Sequence, residues 1–209
     1  DALERLLDLV EAIEAEGIAI EHIDLGGGLG IRYDDEEPPS PRQLLDALFG
    51  RLEAWRPGAV PEVMFEFGRA LIGNAGILLT RVEYLKSNGE YHFAIVDAAM
   101  TELIRPALYQ SWHDVVPVAI GTGSVTPQTY DVVGPVCESG DWLAKGRELA
   151  SAPGDLLAIL SAGAYAAQMS SNYNSRPRAP ELMISDGRAH VVRARETVAD
   201  LYAGERPLG

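Results

Sequence analysis

The hydrophobic rhythm of the chain changes once, near residue 70, and that change limits the folds open to it. Before that point the pattern alternates helix and strand. In "DALERLLDLVEAIEAEG", residues 1 to 17, Leu3, Leu6, Leu7, Val10 and Ile13 recur at helical spacing, with Asp1 as a start signal and Gly17 as a stop. "IAIEHIDL" (18–25) reads as a short buried strand. "SPRQLLDALFGRLEAW" restarts a helix, with Ser40 at the N-cap, Pro41 at the first position and Gln43 completing a capping box. "PEVMFEFG" (61–68) is a second strand. Helix, strand, helix, strand is the order of an α/β barrel or an open parallel sheet.

After residue 70 the pattern is mainly antiparallel β. "AGILLTRVEYLKSNGEYHFAIVDA" reads as two strands turning at Asn88-Gly89, and "PELMISDGRAHVVRA" as a second hairpin turning at Asp186-Gly187. "HDVVPVAIG", "QTYDVVGPV" and "GDLLAILSAG" supply further strands. The boundary falls near residues 70 to 76. Two βα units do not close a barrel, which typically takes roughly 250 residues, so the first region reads as an unusual small α/β unit or as the last part of a larger one.

Composition narrows the function. Of 209 residues, 47% are hydrophobic and 23% charged, a mix suited to a packed globular core, and no apolar run is long enough for a membrane span. The formal net charge of −14 disfavours a general nucleic-acid binder, because a phosphate backbone calls for a basic surface. The single cysteine, Cys137, leaves no internal disulfide and suits a reducing, cytoplasmic setting.

Several segments carry candidate chemistry. The run Gly26-Gly27-Gly28 follows the first strand, where backbone N–H groups can cradle an anion; the alternative is a tight turn that only lets strand and helix pack. It matches neither a dinucleotide fingerprint nor a P-loop. "FEFGR" ends the second strand with Glu66, Gly68 and Arg69, a ligand-type set or a plain surface ion pair. In "RPALY", Arg105 and Tyr109 lie four apart. On a helix they would share a face, able to grip a carboxylate or simply to pack. "GPVCESGD" sets Cys137 beside Glu138 in a glycine-rich loop without metal-ligand spacing. "SAGAYAAQMSSNYNSRPR" brings small residues with Tyr165 and Tyr173. The four histidines are scattered and take no assigned role.

Together, "DLGGGLGI", "EFGRALIGNAGILLTRVEYLK", "FAIVDAAMTELIRPALY", "YDVVGPVCESGDWLA" and "GAYAAQMSSNYNSRPR" occur in the order that resembles the C-terminal half of the diaminopimelate decarboxylases. These are pyridoxal-phosphate enzymes with an alanine-racemase-like barrel. The resemblance implies that residues 1–72 are the C-terminal strands and helices of a pyridoxal-phosphate-binding (β/α)8 barrel, and that 73–209 form a mainly antiparallel β domain. It implies that Gly26, Gly27 and Gly28 bind the cofactor phosphate, that Glu66 pairs with the pyridine nitrogen, and that Gly68 and Arg69 lie by the phosphate. Arg69, Arg105 and Tyr109 would then hold an amino-acid substrate, and Tyr165 would face the cofactor and substrate.

By the same resemblance Cys137, a proton donor, and Glu138, a contact for the far end of the substrate, enter the active site of the other subunit of a homodimer. Glu138 in "CES" follows the diaminopimelate branch, since ornithine decarboxylases usually carry an aspartate there. Phe67 stands where the family usually has proline, restoring a backbone donor and adding bulk. The implied reaction converts meso-diaminopimelate to L-lysine and carbon dioxide. The Schiff-base lysine of the family lies upstream of Asp1, and neither Lys86 nor Lys145 matches its position. The chain alone is therefore expected to be inactive without an N-terminal barrel half. Other readings are an ornithine- or arginine-type decarboxylase and a non-catalytic dimerisation module.

Overall fold

In a computed structural model, which describes residues 1–119 and 126–208, the chain divides into two units. The first comprises residues 1–32 and 36–71; the second comprises 33–35 and the chain from Ile72 on.

The first unit contains α1 (Ala2–Ala15), β1 (His22–Asp24), α2 (Pro41–Trp55) and β2 (Glu62–Met64), with a short α3 (Gly68–Ile72) at its end. β1 and β2 pair in parallel, Ile23 opposite Val63. Both strands are shorter than the apolar runs 18–25 and 61–68 suggest: the ladder pairs only His22–Asp24 with Glu62–Met64, with Glu62 N–H to the Glu21 carbonyl and Leu25 N–H to the Met64 carbonyl at its ends. Leu7 and Val10 of α1, Ile23 of β1 and Leu52 of α2 form the core. The heptad-like spacing of α1 is thus an apolar stripe turned onto the strands.

The capping box of α2 forms as its sequence predicts: Gln43 N–H donates to Ser40 Oγ at 3.2 Å, and Ser40 N–H donates to Gln43 Oε1 at 2.8 Å. Asp1 occupies the N-cap of α1, but its side chain makes no capping hydrogen bond.

The second unit is a six-stranded sheet plus a separate hairpin. Its elements are β3 (Leu78–Asn88), β4 (Tyr91–Val96), α4 (Arg105–Tyr109), β5 (Val115–Pro117), β6 (Gln128–Val133), β7 (Trp142–Leu149), β8 (Leu156–Ile159), β9 (Glu181–Ser185), β10 (Arg188–Arg193) and α5 (Val198–Leu201). The sheet order is β5-β8-β3-β4-β6-β7. Every pairing is antiparallel except β4 with β6. Val82, Val96, Leu103, Val132, Leu143, Leu157 and Ile159 fill its core.

The first hairpin turns one residue later than its sequence suggests. Asn88 pairs with Tyr91, so Gly89 and Glu90 form the loop. Gly89 takes φ +63, the left-handed value that the first loop position of a tight hairpin needs. The second hairpin turns at Asp186 and Gly187 as expected, both with positive φ. β7 has no clear period-2 signal in the sequence. A bulge is the reason: Lys145 and Gly146 are exposed in succession, Gly146 has φ +66, and its N–H donates to Asp131 Oδ1 of β6 at 2.8 Å. The end of the strand read from "HDVVPVAIG" lies outside the described residues.

Candidate functional site

In the first unit the candidate chemistry gathers where β1 and β2 end. Gly26 and Gly28 have φ +69 and +87, a backbone that side chains rarely adopt. Gly27 is glycine for a different reason: a Cβ there would sit 2.6 Å from the carbonyl oxygen of Glu66. The Glu66 main chain is held against this turn. Its N–H donates to the Gly26 carbonyl at 2.8 Å, and its own carbonyl accepts the Gly68 N–H at 2.8 Å. The exposed Glu66 side chain is therefore carried on backbone fixed to the glycine turn. Gly26 N–H is engaged by Asp24 Oδ1 at 2.7 Å, which sets the entry to the turn.

Phe67 stacks on Phe65, centroids 4.9 Å apart, and its carbonyl accepts the Leu71 N–H that opens α3. Its bulk is thereby absorbed by an aromatic neighbour. Arg69 is half-buried in α3. A cleft of about 260 Å³ adjoins the turn, lined by Leu3, Leu6, Leu44, Leu48 and Phe65, with Asp24 its one charged lining residue.

In the second unit Arg105 opens α4 and is buried, while Tyr109 closes the same helix and is exposed. Arg105 lies over two tyrosines: its guanidinium carbon is 4.7 Å from the Tyr33 ring centroid and 6.0 Å from that of Tyr165. Its Nη1 is 2.9 Å from Nε2 of His113, a side chain with no exposed surface. The other ring nitrogen, Nδ1, is 2.9 Å from the Leu160 carbonyl.

Tyr165 itself is exposed and has φ 59. Ser161, four residues earlier, has φ 58 and accepts a hydrogen bond from Asn74 at 2.7 Å. Non-glycine residues in this region store strain, which tends to collect at ligand sites.

Cys137 and Glu138 are exposed on the loop between β6 and β7. The loop is anchored by Asp141, 4% exposed, whose Oδ1 accepts the Met100 N–H and whose Oδ2 accepts the Val136 N–H, both at 2.7 Å. Glu138 accepts the Tyr173 hydroxyl at 3.3 Å and the Gly140 N–H at 3.1 Å. Tyr173 is steadied through Arg176, which donates to Thr101 Oγ1 and to the Asp97 carbonyl.

Sequence reasoning identified Arg105, Glu138 and Tyr165 but not the residues that hold them. Tyr33, His113 and Asp141 carry no signal in the sequence because their roles depend on partners brought together by the fold: Tyr33 with Arg105, His113 with Leu160 as well as Arg105, Asp141 with Met100 as well as Val136. The sequence shows Tyr173 only as an aromatic in a turn; the structure gives its hydroxyl to Glu138. Lys145 lies with its ammonium 3.9 Å from the Trp142 ring centroid, and Lys86 sits in β3 opposite Phe93.

Burial, reinforced by the positive charges of Arg105 and Arg147, pushes the His113 imidazole down from 6.5 to about 4. Between these values an unfolded chain binds a proton that the folded one refuses. The stabilisation is thus full above about pH 6.5 and lost as pH falls through 4. Its upper bound is about 3 kcal/mol. Urea midpoints measured from pH 7 to pH 4 should fall, and His113→Gln should flatten that slope.

The chain matches a family model described as "Pyridoxal-dependent decarboxylase, C-terminal sheet domain" over residues 11–163. It belongs to the pyridoxal-dependent decarboxylases. It is 56% identical over 208 residues to the diaminopimelate decarboxylase of Pseudomonas aeruginosa, covering 100% of this chain and 49% of that protein. The Vibrio cholerae diaminopimelate decarboxylase is 51% identical over 208 residues, with the same two coverages.

Among solved structures, the diaminopimelate decarboxylase of M. jannaschii in complex with L-lysine superposes with a TM-score of 0.92 at 33% identity, over 99% of this chain and 48% of that one. That of Helicobacter pylori complexed with L-lysine gives 0.85 at 36% identity, over 97% and 50%. The chain spans about half the length of the curated relatives it matches. The resemblance read from the ordered motifs is borne out, and the cofactor of this decarboxylase family is pyridoxal phosphate.

Proposed function

We propose that this decarboxylase chain is the C-terminal part of an enzyme that converts meso-diaminopimelate to L-lysine and carbon dioxide, working in the cytoplasm as a homodimer. The observation that carries the reading is a match at 56% identity, over 100% of this chain and 49% of the other protein, to a protein named diaminopimelate decarboxylase. The first unit is then the last portion of a (β/α)8 barrel, in keeping with its parallel β1 and β2 and alternating helices.

The residues present fit the cofactor. Gly27 and Gly28 offer backbone N–H groups to its phosphate while Gly26 provides the bend, and Gly68 and Arg69 follow at the end of β2. Glu66, fixed to the turn through its main chain, is an acceptor for the protonated pyridine nitrogen. When bound, pyridoxal phosphate supplies the electron sink for the pair left behind as the carboxylate departs.

The second unit serves the substrate. Arg105 and Tyr109 hold a carboxylate, and Tyr165 faces the reacting end. Glu138, kept in place by Tyr173, receives the distal ammonium, and Cys137 Sγ delivers a proton to the carbon that lost its carboxylate. These last two act in the site of the second copy.

The complete protein, loaded with pyridoxal phosphate, is expected to release carbon dioxide from meso-diaminopimelate in preference to ornithine and arginine. The 209-residue chain alone should show no turnover. A preference for ornithine or arginine would overturn the substrate assignment. Efficient turnover by the isolated chain would overturn the division of labour, and borohydride trapping on Lys86 or Lys145 would then identify its lysine.

A further inference from the structure

Among the described residues of the second unit, His113 is the one titratable side chain with no exposed surface, and the reaction as proposed does not use it. Its two ring nitrogens have partners of opposite kind. The Leu160 carbonyl can only accept, so Nδ1 carries the proton. The Arg105 guanidinium can only donate, so Nε2 presents its lone pair. The two contacts together fix a neutral imidazole in the Nδ1–H tautomer.

The groups around it agree. Arg105 meets the ring edge from α4. Arg147 from β7 donates Nη2 to the His113 carbonyl at 3.1 Å, and its guanidinium lies 3.1 Å from the Trp112 ring centroid. Tyr33 meets the imidazole edge-on at 5.2 Å. Asp114, next in sequence, turns its carboxylate to the Val115 N–H. Two fixed cations beside the ring oppose an imidazolium, in line with the depressed pKa.

This choice of partner has a chemical consequence. A carboxylate in the place of His113 would also hold Arg105, but it would cancel the charge that a bound carboxylate needs. A neutral acceptor holds one guanidinium N–H and leaves the charge intact. Among the described residues, no carboxylate forms an ion pair with Arg105.

We infer that His113 is the positioning residue for Arg105, a neutral acceptor that fixes the guanidinium for a substrate carboxylate without neutralising it. The inference rests on the carboxylate-binding role proposed above for Arg105.

The test uses the complete, cofactor-loaded protein. His113→Phe keeps a ring but removes the acceptor. It should raise KM for the amino-acid substrate about tenfold or more, the scale of a hydrogen bond to a charged group, with kcat within about threefold. His113→Gln retains an acceptor and should recover most of that loss. Imidazole 15N shifts of the wild-type protein should show Nδ1 protonated and Nε2 unprotonated from pH 8 down to pH 5.5.

Unchanged KM in both variants, or a loss confined to kcat, would overturn the inference, as would an Nε2–H tautomer or an imidazolium at pH 7. Should His113→Phe fail to fold, His113→Gln and the tautomer decide. Absence of any amino-acid decarboxylation by the wild-type protein would instead sink the functional reading, and the tautomer would remain open to measurement. Turnover of a different amino acid would leave the KM comparison valid with that substrate.

Discussion

Gly163→Ala is expected to destabilise the second unit by more than about 4 kcal/mol, placing it among the most damaging single substitutions. A Cβ at Gly163 would stand 1.8 Å from the Ile72 carbonyl oxygen and 2.9 Å from the Gly76 nitrogen. Both obstacles are backbone, so no side-chain rotation relieves them. The approach is reciprocal: a Cβ at Gly76 would stand 2.4 Å from the Gly163 Cα. Two hydrogen bonds hold the segments together, Gly163 N–H to the Gly73 carbonyl at 3.0 Å and Ala162 N–H to the Gly76 carbonyl at 2.8 Å.

Separating the segments would break those bonds and shift Tyr165, two residues on. Urea denaturation of the complete protein would measure the loss. Gly140→Ala is the matched control: its Cβ meets only the Glu138 side chain, at ordinary contact distances of 3.7 and 3.8 Å. It should change stability by less than about 0.5 kcal/mol. Equal effects from the two substitutions would contradict the close approach.

The second large effect is expected at Asp141, which links structure to the proposed chemistry. Its two carboxylate oxygens each accept a backbone N–H, from Met100 and Val136. Its backbone carbonyl also accepts the Gly134 N–H at 3.0 Å. A Cβ at Gly134 would fall 2.3 Å from Asp141 Oδ2, so glycine and aspartate require one another.

Asp141→Asn is nearly isosteric but replaces one acceptor by an amide donor, which would face an N–H. The expected cost is about 2–4 kcal/mol, from the lost charge-assisted bond and the buried donor left unpaired. The loop between these anchors carries Cys137 and Glu138. A fall in kcat of roughly 10²-fold should therefore accompany the stability loss, the scale of misplacing a proton donor. Calorimetric melting and steady-state kinetics on one preparation would show both. A destabilised protein with unchanged kcat would mean that the loop's placement does not matter to the chemistry.

Neither Gly163 nor Asp141 is legible in the sequence. Gly163 looks like any glycine in "SAGAY", and Asp141 like any acid after a glycine. Neither has a local signature: Gly163 meets Ile72 and Gly76, far away in the chain, and Asp141 joins its own loop at Val136 to Met100, 41 residues back. Local signatures did better. The capping box at Ser40 and Gln43 and the turn at Asp186-Gly187 depend on neighbours a few residues apart. The helical stripe Leu7 and Val10 likewise needs only the 3.6-residue period. β7 was missed because the bulge at Gly146 breaks the period-2 pattern by which strands are recognised.

The sequence by itself determined the switch from alternating helix and strand to antiparallel β and the glycine turn after β1, both written in spacing along the chain, and it carried the ordered motifs that resemble a pyridoxal-dependent decarboxylase. Only the tertiary structure decided that Gly27 must yield to the Glu66 carbonyl, that Asp141 anchors the Cys137 loop and that His113 is a neutral acceptor for Arg105. Hydrogen-bond direction and steric exclusion depend on which atoms meet in space, and the imidazole tautomer at His113 was set by a carbonyl 47 residues away.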